Sequence, residues 1–278
     1  MDIRAIIMPS NLYAEFYIRG IPTHILNSIR RAILTEVPTL AIHDVIIFTN
    51  TSVIYDEELA LRLALIPLRV DKSELNVLEE GKNLENKSLR DLIKLTARLR
   101  LHKKAENGIA DVLSGDIEPI DKKTVKPVYP NIPIAKLGEG QEIDIEMIAK
   151  VGKGKDHAKW MPVSTLGYHP IVRFRVDIEA CDSCGDCVKA CPKGILKIRD
   201  GIPVLEGTGL YLCDLCRICV RACNKKAISI KPADDEFIFR IKSVGHYKIA
   251  DIIDTAITIL EEKFNELFMK IEKAMKES

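Results

Sequence analysis

The stretch from residue 181 to residue 192 reads CDSCGDCVKACP, and the stretch from residue 213 to residue 223 reads CDLCRICVRAC. Each stretch has the spacing C-x2-C-x2-C-x3-C, and together the two copies contain all eight cysteines of the chain. Such a repeated run is typical of proteins that bind two 4Fe–4S clusters through cysteine thiolates. The sequence therefore predicts an iron–sulfur module in this part of the chain.

The cysteine spacing also predicts which thiols share a cluster. Three cysteines at steps of three residues can surround three corners of a cubane, whereas the fourth points away and ligates the other cluster. The predicted ligands of one cluster are Cys181, Cys184, Cys187 and Cys223, and those of the other are Cys213, Cys216, Cys219 and Cys191. The sequence leaves open a three-iron (3Fe–4S) form for one of the two clusters.

Two other uses of the cysteines fit the sequence less well. Structural zinc usually takes two separate C-x2-C knuckles, and a disulfide framework needs an oxidising compartment. The N-terminus, with Asp2 and Arg4 and no long apolar core, does not resemble a secretory signal. No apolar run approaches the roughly 18 residues that a membrane span needs. We therefore expect a cytoplasmic protein that does not enter a membrane.

Charge and composition argue against nucleic-acid binding as the main function. The chain of 278 residues has 41 lysines and arginines against 40 aspartates and glutamates, a formal net charge of +1. A protein that holds nucleic acid by its phosphates normally has a basic surplus, and a base-stacking surface needs more aromatic residues than the 5% found here. We expect no direct, specific contact with nucleic acid.

Apolar periodicity predicts a mixture of strands and helices around the cysteine module. Predicted strands are residues 12–19, 41–48, 93–101, 143–151, 171–178 and 237–241, and predicted helices are residues 22–36, 57–65 and 246–275. We expect Asp56 to cap the second helix, Asp200-Gly201 to form a hairpin turn, and residues 232–235 to form an exit linker. The last helix is long, so its apolar stripe packs either on its own domain or against a partner.

Four blocks of sequence resemble one known family. They are residues 27–42 (NSIRRAILTEVPTLAI), residues 50–68 with the run DEELALRLALIPL, residues 152–164 (GKGKDHAKWMPVS), and Ser243-Val244-Gly245 before the long helix. These blocks closely resemble the D-type assembly subunits of archaeal RNA polymerase, the counterparts of the eukaryotic third-largest subunit and of bacterial alpha. Several members of that family carry a ferredoxin-like insertion at the place where the cysteines lie here.

The resemblance implies an α+β fold with three parts. Residues 1–45 and 232–278 would form a discontinuous, alpha-like assembly (dimerisation) domain, residues 46–178 a β-rich insert domain, and residues 179–231 a ferredoxin-like 4Fe–4S module. The family pairs its assembly domain with the small subunit L. That heterodimer is the platform for the second-largest subunit and the small subunits N and P, so no residue of this chain would be catalytic.

Partner-binding candidates follow from the matched blocks and from the stripe of the last helix. They are Asn27, Arg30, Arg31, Asp56, Glu58, Arg62, Leu260, Phe264, Leu267 and Phe268. All of them except Asn27 have a plainer interpretation: the arginines of the first helix as a solvated face, Asp56, Glu58 and Arg62 as a local helix network, and the apolar residues as ordinary core.

The main alternative function is that of an electron-transfer iron–sulfur subunit of an oxidoreductase. No G-x-G-x-x-G follows a predicted strand, and Gly152-Lys153-Gly154-Lys155 lacks the spacing of a phosphate-binding loop. We interpret that glycine-rich block as a docking loop, and we interpret His157 and His169 as structural. The loop from Asp71 to Asp91 contains no cysteine, so we expect no zinc there.

Overall fold

The computed structural model describes residues 1–70, 96–121, 124–205, 207 and 209–276. It divides into two compact units, one formed by residues 1–28 and 166–241 and the other by residues 29–165 and 242–278. The three domains expected for this chain from the family resemblance are residues 1–45 with 232–278, 46–178, and 179–231. This division remains a prediction. The predicted strand residues Ile93 and Leu95 lie outside the described residues, as does the loop 71–91, where we expect no zinc.

Most of the described elements are strands, with helices between some of them. In order they are β1 (Asp2–Ser10), β2 (Tyr13–Arg19), α1 (Thr23–Thr35), β3 (Pro38–Asn50), α2 (Asp56–Ala64), β4 (Leu68–Arg69), β5 (Ala97–Lys104), β6 (Ala110–Leu113), β7 (Ile117–Pro119), β8 (Lys126–Pro127), β9 (Pro133–Leu137), β10 (Glu142–Lys153), β11 (Val163–Val176), α3 (Asp186–Lys189), β12 (Leu196–Arg199), β13 (Ile202–Leu205), α4 (Gly209–Leu212), α5 (Ile218–Ala222), β14 (Ile228–Ser243) and α6 (Ile249–Lys276). Short 3-10 helices cover Ser114–Asp116 and Ala158–Trp160.

The first unit is built on a four-stranded sheet with the order β1-β2-β14-β11. Ile171, Ala233 and Ile238 form a small core with Tyr17 and Tyr211 packed against it. The separate hairpin β12–β13 turns at residues 200–201, both of which have positive φ (51° and 78°). That pair of left-handed residues matches the twist of a two-residue hairpin, so the predicted turn is confirmed.

The second unit contains the larger core, under a four-stranded sheet with the order β3-β10-β5-β7. Along β10, Ile143, Ile145, Met147 and Ala149 are completely buried while the residues between them are only partly buried. This alternation places one face of the sheet on the core, as the sequence pattern predicts. Helix α2 packs on the same core through Leu59 and Leu63.

Helix α6 is attached to the second unit at its N-terminal end. Buried His246 contacts the Leu68 carbonyl oxygen through Nδ1 at 2.7 Å, and the Tyr247 hydroxyl donates to the Pro38 carbonyl at 2.8 Å. Burial lowers the pKa of His246, so the ring is neutral at pH 7 and donates Nδ1–H to that carbonyl. Within the described residues, no helix combines the length and the apolar composition that a membrane crossing requires.

Two local predictions were wrong. Asp56 does not cap α2: Tyr55 occupies the N-cap without a side-chain bond, and Asp56 is the first helical residue, where it accepts a hydrogen bond from Asn50. The expected exit linker 232–235 lies inside β14. The bond from Gly20 N to Asp235 O marks where β2 ends beside β14, so Pro232 lies beyond that neighbour and removes no hydrogen bond to it.

Close packing explains why two positions of the block expected to form a docking loop, Gly152 and Gly154, are glycine. A Cβ atom on Gly152 would lie 2.3 Å from the Trp160 ring, and one on Gly154 would lie 1.9 Å from the Leu34 carbonyl oxygen. A side chain at either position would therefore collide with atoms of the core or of the end of α1.

We expect Gly154→Ala to lower the free energy of unfolding by about 2–3 kcal/mol, because backbone atoms must move to admit the methyl group. Urea unfolding measures this change. Gly167→Ala is the matched control, since a Cβ there meets no atom within 4 Å and φ is not positive. Equal stability of the two variants would contradict the packing argument.

Candidate functional sites

The predicted cluster ligands surround two separate cavities in the first unit. The first cavity, of about 60 Å³, is lined by Cys191, Cys213, Cys216 and Cys219. The second cavity, of about 10 Å³, is lined by Cys181, Cys184, Cys187 and Cys223. Each cavity thus collects one complete predicted ligand set, including the fourth cysteine that comes from the other cysteine run.

The two sets have the same pattern of exposure. Cys187 and Cys219, the third cysteine of each run, are buried, whereas Cys184 and Cys216 are exposed. The remaining four cysteines are intermediate, and all eight are free thiols. The matching pattern shows that the sequence repeat is also a structural repeat.

Backbone conformation repeats in the same way. Ser183 and Gly185 in the first run and Leu215 and Arg217 in the second have positive φ, between 57° and 77°. Three of these four are not glycine, so each holds a conformation that side chains disfavour. Alternation of right-handed and left-handed residues turns backbone N–H groups into a concavity that suits an anion, and many iron–sulfur sites use it.

Burial controls the protonation of three of the predicted ligand thiols. Burial raises the pKa of Cys187, Cys213 and Cys219, so these groups are protonated in the metal-free protein. A metal ion that coordinates such a thiol would reverse that preference, because coordination deprotonates a thiol ligand. In the part of the chain described by the structure, no three histidine, cysteine, aspartate or glutamate side chains converge on one point as single-ion ligands would.

The four-stranded sheet of the first unit supports the cysteine loops. Val172 of β11 and Ile228 and Ile230 of β14 share a buried cluster with Cys187 and Cys219. The two halves of the module are also tied by an ion pair of 2.6 Å between Lys193, just after Cys191, and Asp214, just after Cys213. Lys193 also donates to the Leu212 carbonyl at 2.8 Å.

Several of the candidate partner residues on α1 and α2 are half-buried or already bonded within the chain, so only part of this set is free to contact a partner. Asn27 and Arg30 are half-buried and Arg31 is exposed. On α2, Arg62 pairs with Glu58 at 2.6 Å and donates to the Ile134 carbonyl at 2.9 Å, so these two residues form the local network allowed for in the sequence analysis.

The candidate partner residues on α6 are mostly uncovered. Leu260 is half-buried, but Phe264, Leu267 and Phe268 are 63%, 52% and 61% exposed. Ile271 and Met275 continue the same helical spacing and are also exposed. Only the first turns of the helix, with Ile249, Ile252 and Ala256, are buried in the described structure.

A carboxylate that the sequence analysis did not single out, Glu36, forms an ion pair with α6. Glu36 pairs with Lys263 of α6 at 2.8 Å and with Lys153 and Lys155 at 3.3 and 3.6 Å. Burial alone would raise the pKa of Glu36, but the hydrogen bonds from Lys263 and Lys153 outweigh it and hold the pKa below its usual value. No sequence pattern links Glu36 to Lys263, because they lie far apart along the chain.

The two histidines interpreted as structural have structural contacts. His157 Nδ1 accepts a hydrogen bond from the Lys159 backbone N–H at 3.1 Å, and His169 Nε2 contacts the Tyr211 carbonyl oxygen at 2.9 Å. Neither contact includes the carboxylate or nucleophile that a catalytic histidine would need.

Comparison with known proteins gives one consistent result. A family model described as the RNA polymerase Rpb3/Rpb11 dimerisation domain matches residues 15–264. DNA-directed RNA polymerase subunit Rpo3 of Methanothermobacter thermautotrophicus is 37% identical, over 91% of this chain and 92% of the relative. Rpo3 of Methanosarcina acetivorans is 34% identical over 93% and 94%, and Rpo3 of Pyrobaculum calidifontis is 33% identical over 94% and 93%.

These matches confirm the family expected from the four sequence blocks and give no support to the electron-transfer alternative. The family model covers α1, the large sheet and α6 as far as Phe264, the first exposed residue of the stripe. The chain therefore belongs to the Rpb3/Rpb11 dimerisation family as a relative of archaeal Rpo3, and it is a non-catalytic assembly subunit of DNA-dependent RNA polymerase.

Proposed function

We propose that the exposed stripe of α6 binds a small L-like (Rpb11-like) subunit, and that the second-largest subunit and the small subunits N and P then assemble on this heterodimer. The single observation that carries the first step is the uncovered apolar half of α6. Membership of a dimerisation family supports a partner helix as the cover. The eight free thiols suit a reducing compartment such as the cytoplasm.

The exposed stripe continues along α6 the apolar face whose first residues, Ile249, Ile252 and Ala256, are buried. Phe264, Leu267, Phe268 and Ile271 recur at spacings of three and four residues, which align them on one face. Every residue from 261 to 271 is exposed, so the described chain leaves this face to solvent. A contiguous exposed apolar face of this kind indicates an interaction site.

Glu36 would hold the stripe in position for that partner. Lys263 lies within the exposed part of α6, yet its ammonium group reaches back to Glu36 at the end of α1. This contact orients the helix beyond its buried first turns, which reduces the freedom that is lost on binding.

We propose that the cysteine module binds two iron–sulfur clusters that stabilise or regulate the subunit. The two complete ligand sets, the repeated left-handed residues and the free thiols support this assignment. The clusters would supply iron–thiolate bonds, through which Cys191 and Cys223 join the two halves of the module. A cubane spreads its ligands over four irons, so they need not converge on one point as zinc ligands do.

We expect Phe264→Glu to weaken the heterodimer with the L-like subunit at least about 30-fold, because a charge replaces an apolar anchor of the interface. Isothermal titration calorimetry with the purified L-like subunit measures this change. Glutamate favours helix, so circular dichroism of the free chain should be unaltered.

Met269→Glu is the matched control for that variant. Met269 is also 63% exposed, but at 100° per residue it lies about 140° around the helix from Phe264. It should bind the L-like subunit like the wild type. Equal affinities of the Phe264 and Met269 variants would contradict the assignment of the stripe.

We expect Glu36→Gln to loosen α6 and to lower the free energy of unfolding by about 1 kcal/mol. Because the pKa of Glu36 is lowered by folding, its ion pairs contribute above the ordinary carboxyl pKa and are lost as pH falls below about 4. Unfolding followed from pH 7 to pH 3 should show the two proteins converging at low pH. A constant difference over that range would contradict the role of the charge.

We expect Cys184→Ser to remove one cluster and reduce bound iron from about eight to about four atoms per chain, with a lower melting temperature. Anaerobic purification followed by iron analysis and calorimetry tests this. Lys189→Ala, on the adjacent helix α3 with a side chain 79% exposed, is the control and should keep its iron. Unchanged iron content in the cysteine variant would overturn the ligand assignment.

A further inference from the structure

The two cysteine runs differ in charge at equivalent positions, although their spacing and backbone conformation repeat. Between its second and third cysteines, the first run has Gly185 and Asp186, whereas the second run has Arg217 and Ile218. The second run therefore has a cation in place of a glycine, and an apolar residue in place of a carboxylate. Because both predicted ligand sets consist of four cysteines, any difference in charge between the two sites comes from neighbouring residues such as these.

Arg217 has a backbone conformation that suits glycine better than arginine. Its φ is 58°, and the φ of Gly185, at the equivalent position of the first run, is 77°. Glycine adopts this left-handed conformation freely, whereas a residue with a Cβ atom is strained in it. The second run thus carries arginine where glycine would fold more easily. A strained residue of this kind points to a function for its side chain.

The first cavity, which Cys191 and the second run surround, has a surplus of positive charge. Arg217, Lys193 and Asp214 are the charged residues that line it, with a formal charge of +1. Lys193 and Asp214 neutralise each other through their ion pair of 2.6 Å. Arg217 has no ion-pair partner in the part of the chain that the structure describes, so the surplus lies on its guanidinium group.

The second cavity, which Cys223 and the first run surround, has the opposite charge. Asp182 is the one charged residue among the described residues that line it. Its carboxylate accepts a hydrogen bond from the Cys184 backbone N–H at 3.3 Å, which holds the negative charge beside a predicted ligand. Asp214, the equivalent residue of the second run, is instead drawn into its ion pair with Lys193.

Charge near a 4Fe–4S cluster influences how readily the cluster accepts an electron. Reduction adds one electron, and therefore one negative charge, to a site that already contains four thiolates. A neighbouring cation stabilises the reduced form more than the oxidised form, and a neighbouring carboxylate does the reverse. A cluster beside Arg217 should therefore have a higher reduction potential than a cluster beside Asp182.

We infer that Arg217 makes the two cluster sites unequal, so that the cluster bound in the first cavity accepts an electron first. A one-electron donor of low potential supplies that electron, with no bond broken and no proton moved. The site beside Arg217 is then the redox-responsive one, and the site beside Asp182 stays oxidised and structural. The inference rests on the proposed binding of two clusters, and it divides between them the stabilising and regulatory roles.

A potentiometric titration of the cluster-loaded protein tests the role of Arg217. The protein is purified anaerobically, reduced stepwise with titanium(III) citrate and followed by electron paramagnetic resonance. Arg217→Gln removes the charge but keeps most of the side chain. We expect the midpoint of the first reduction to fall by about 30–60 mV, which is about a three-fold to ten-fold change in the reduction equilibrium at 59 mV per ten-fold. The shift is moderate because Arg217 is exposed and water screens its charge.

Three further variants separate the local charge from other effects. Arg217→Lys keeps the cation and should keep most of the wild-type midpoint. Arg221→Gln removes the same charge near the other end of α5, at an exposed residue that lines neither cavity, and should leave both midpoints unchanged. Cys184→Ser should leave only the cluster beside Arg217, so the higher midpoint should remain and the lower one should disappear.

Iron analysis of each protein distinguishes failure of this inference from failure of the cluster assignment. About eight irons per chain with unchanged midpoints in Arg217→Gln would overturn the inference and leave the two clusters in place. The inference is also overturned if Arg221→Gln lowers the first midpoint by as much, or if Cys184→Ser loses the higher midpoint and keeps the lower one. A wild-type chain that binds no iron under anaerobic conditions would overturn both proposals.

Discussion

The uncovered stripe of α6 is the constraint on which the rest of the account depends. The buried first turns of the helix and the ion pair between Glu36 and Lys263 hold it to its unit, yet its later turns leave two phenylalanines and several aliphatic side chains in solvent. Exposure of these apolar side chains to water costs free energy, which indicates that a partner covers them in the assembled protein. The family match supports a dimerisation partner as the protein that covers the stripe. The resulting heterodimer would then be the platform on which other subunits assemble.

The cysteine module is joined to the same sheet that forms the first unit. Val172, Ile228 and Ile230 contact the buried cysteines, and elsewhere on the same two strands Ile171 and Ala233 belong to the small core with Tyr17 and Tyr211. Iron–thiolate bonds in the module would therefore stiffen strands that also hold the sheet together. Through this connection, binding of clusters would influence the stability of the subunit.

Sequence patterns predicted the long helices, the alternating strands and the grouping of cysteines, because each depends on local spacing. They missed β1, whose side chains are largely exposed on both faces and so show no clean alternation. They also missed the strand around Pro232, which depends on where β2 ends, and the contact of Glu36 with Lys263, which depends on tertiary packing. Exposure of Tyr55 and Leu61 likewise appears only once the core is known.

Hydrogen exchange of α6, in the free chain and in complex with the L-like subunit, tests the central claim most directly. The account predicts that backbone amides of residues 261–276 exchange rapidly in the free chain, where the helix is exposed, and are strongly protected in a one-to-one complex. Formation of that complex with unchanged exchange along this part of α6 would contradict the account, because the subunits would then meet elsewhere.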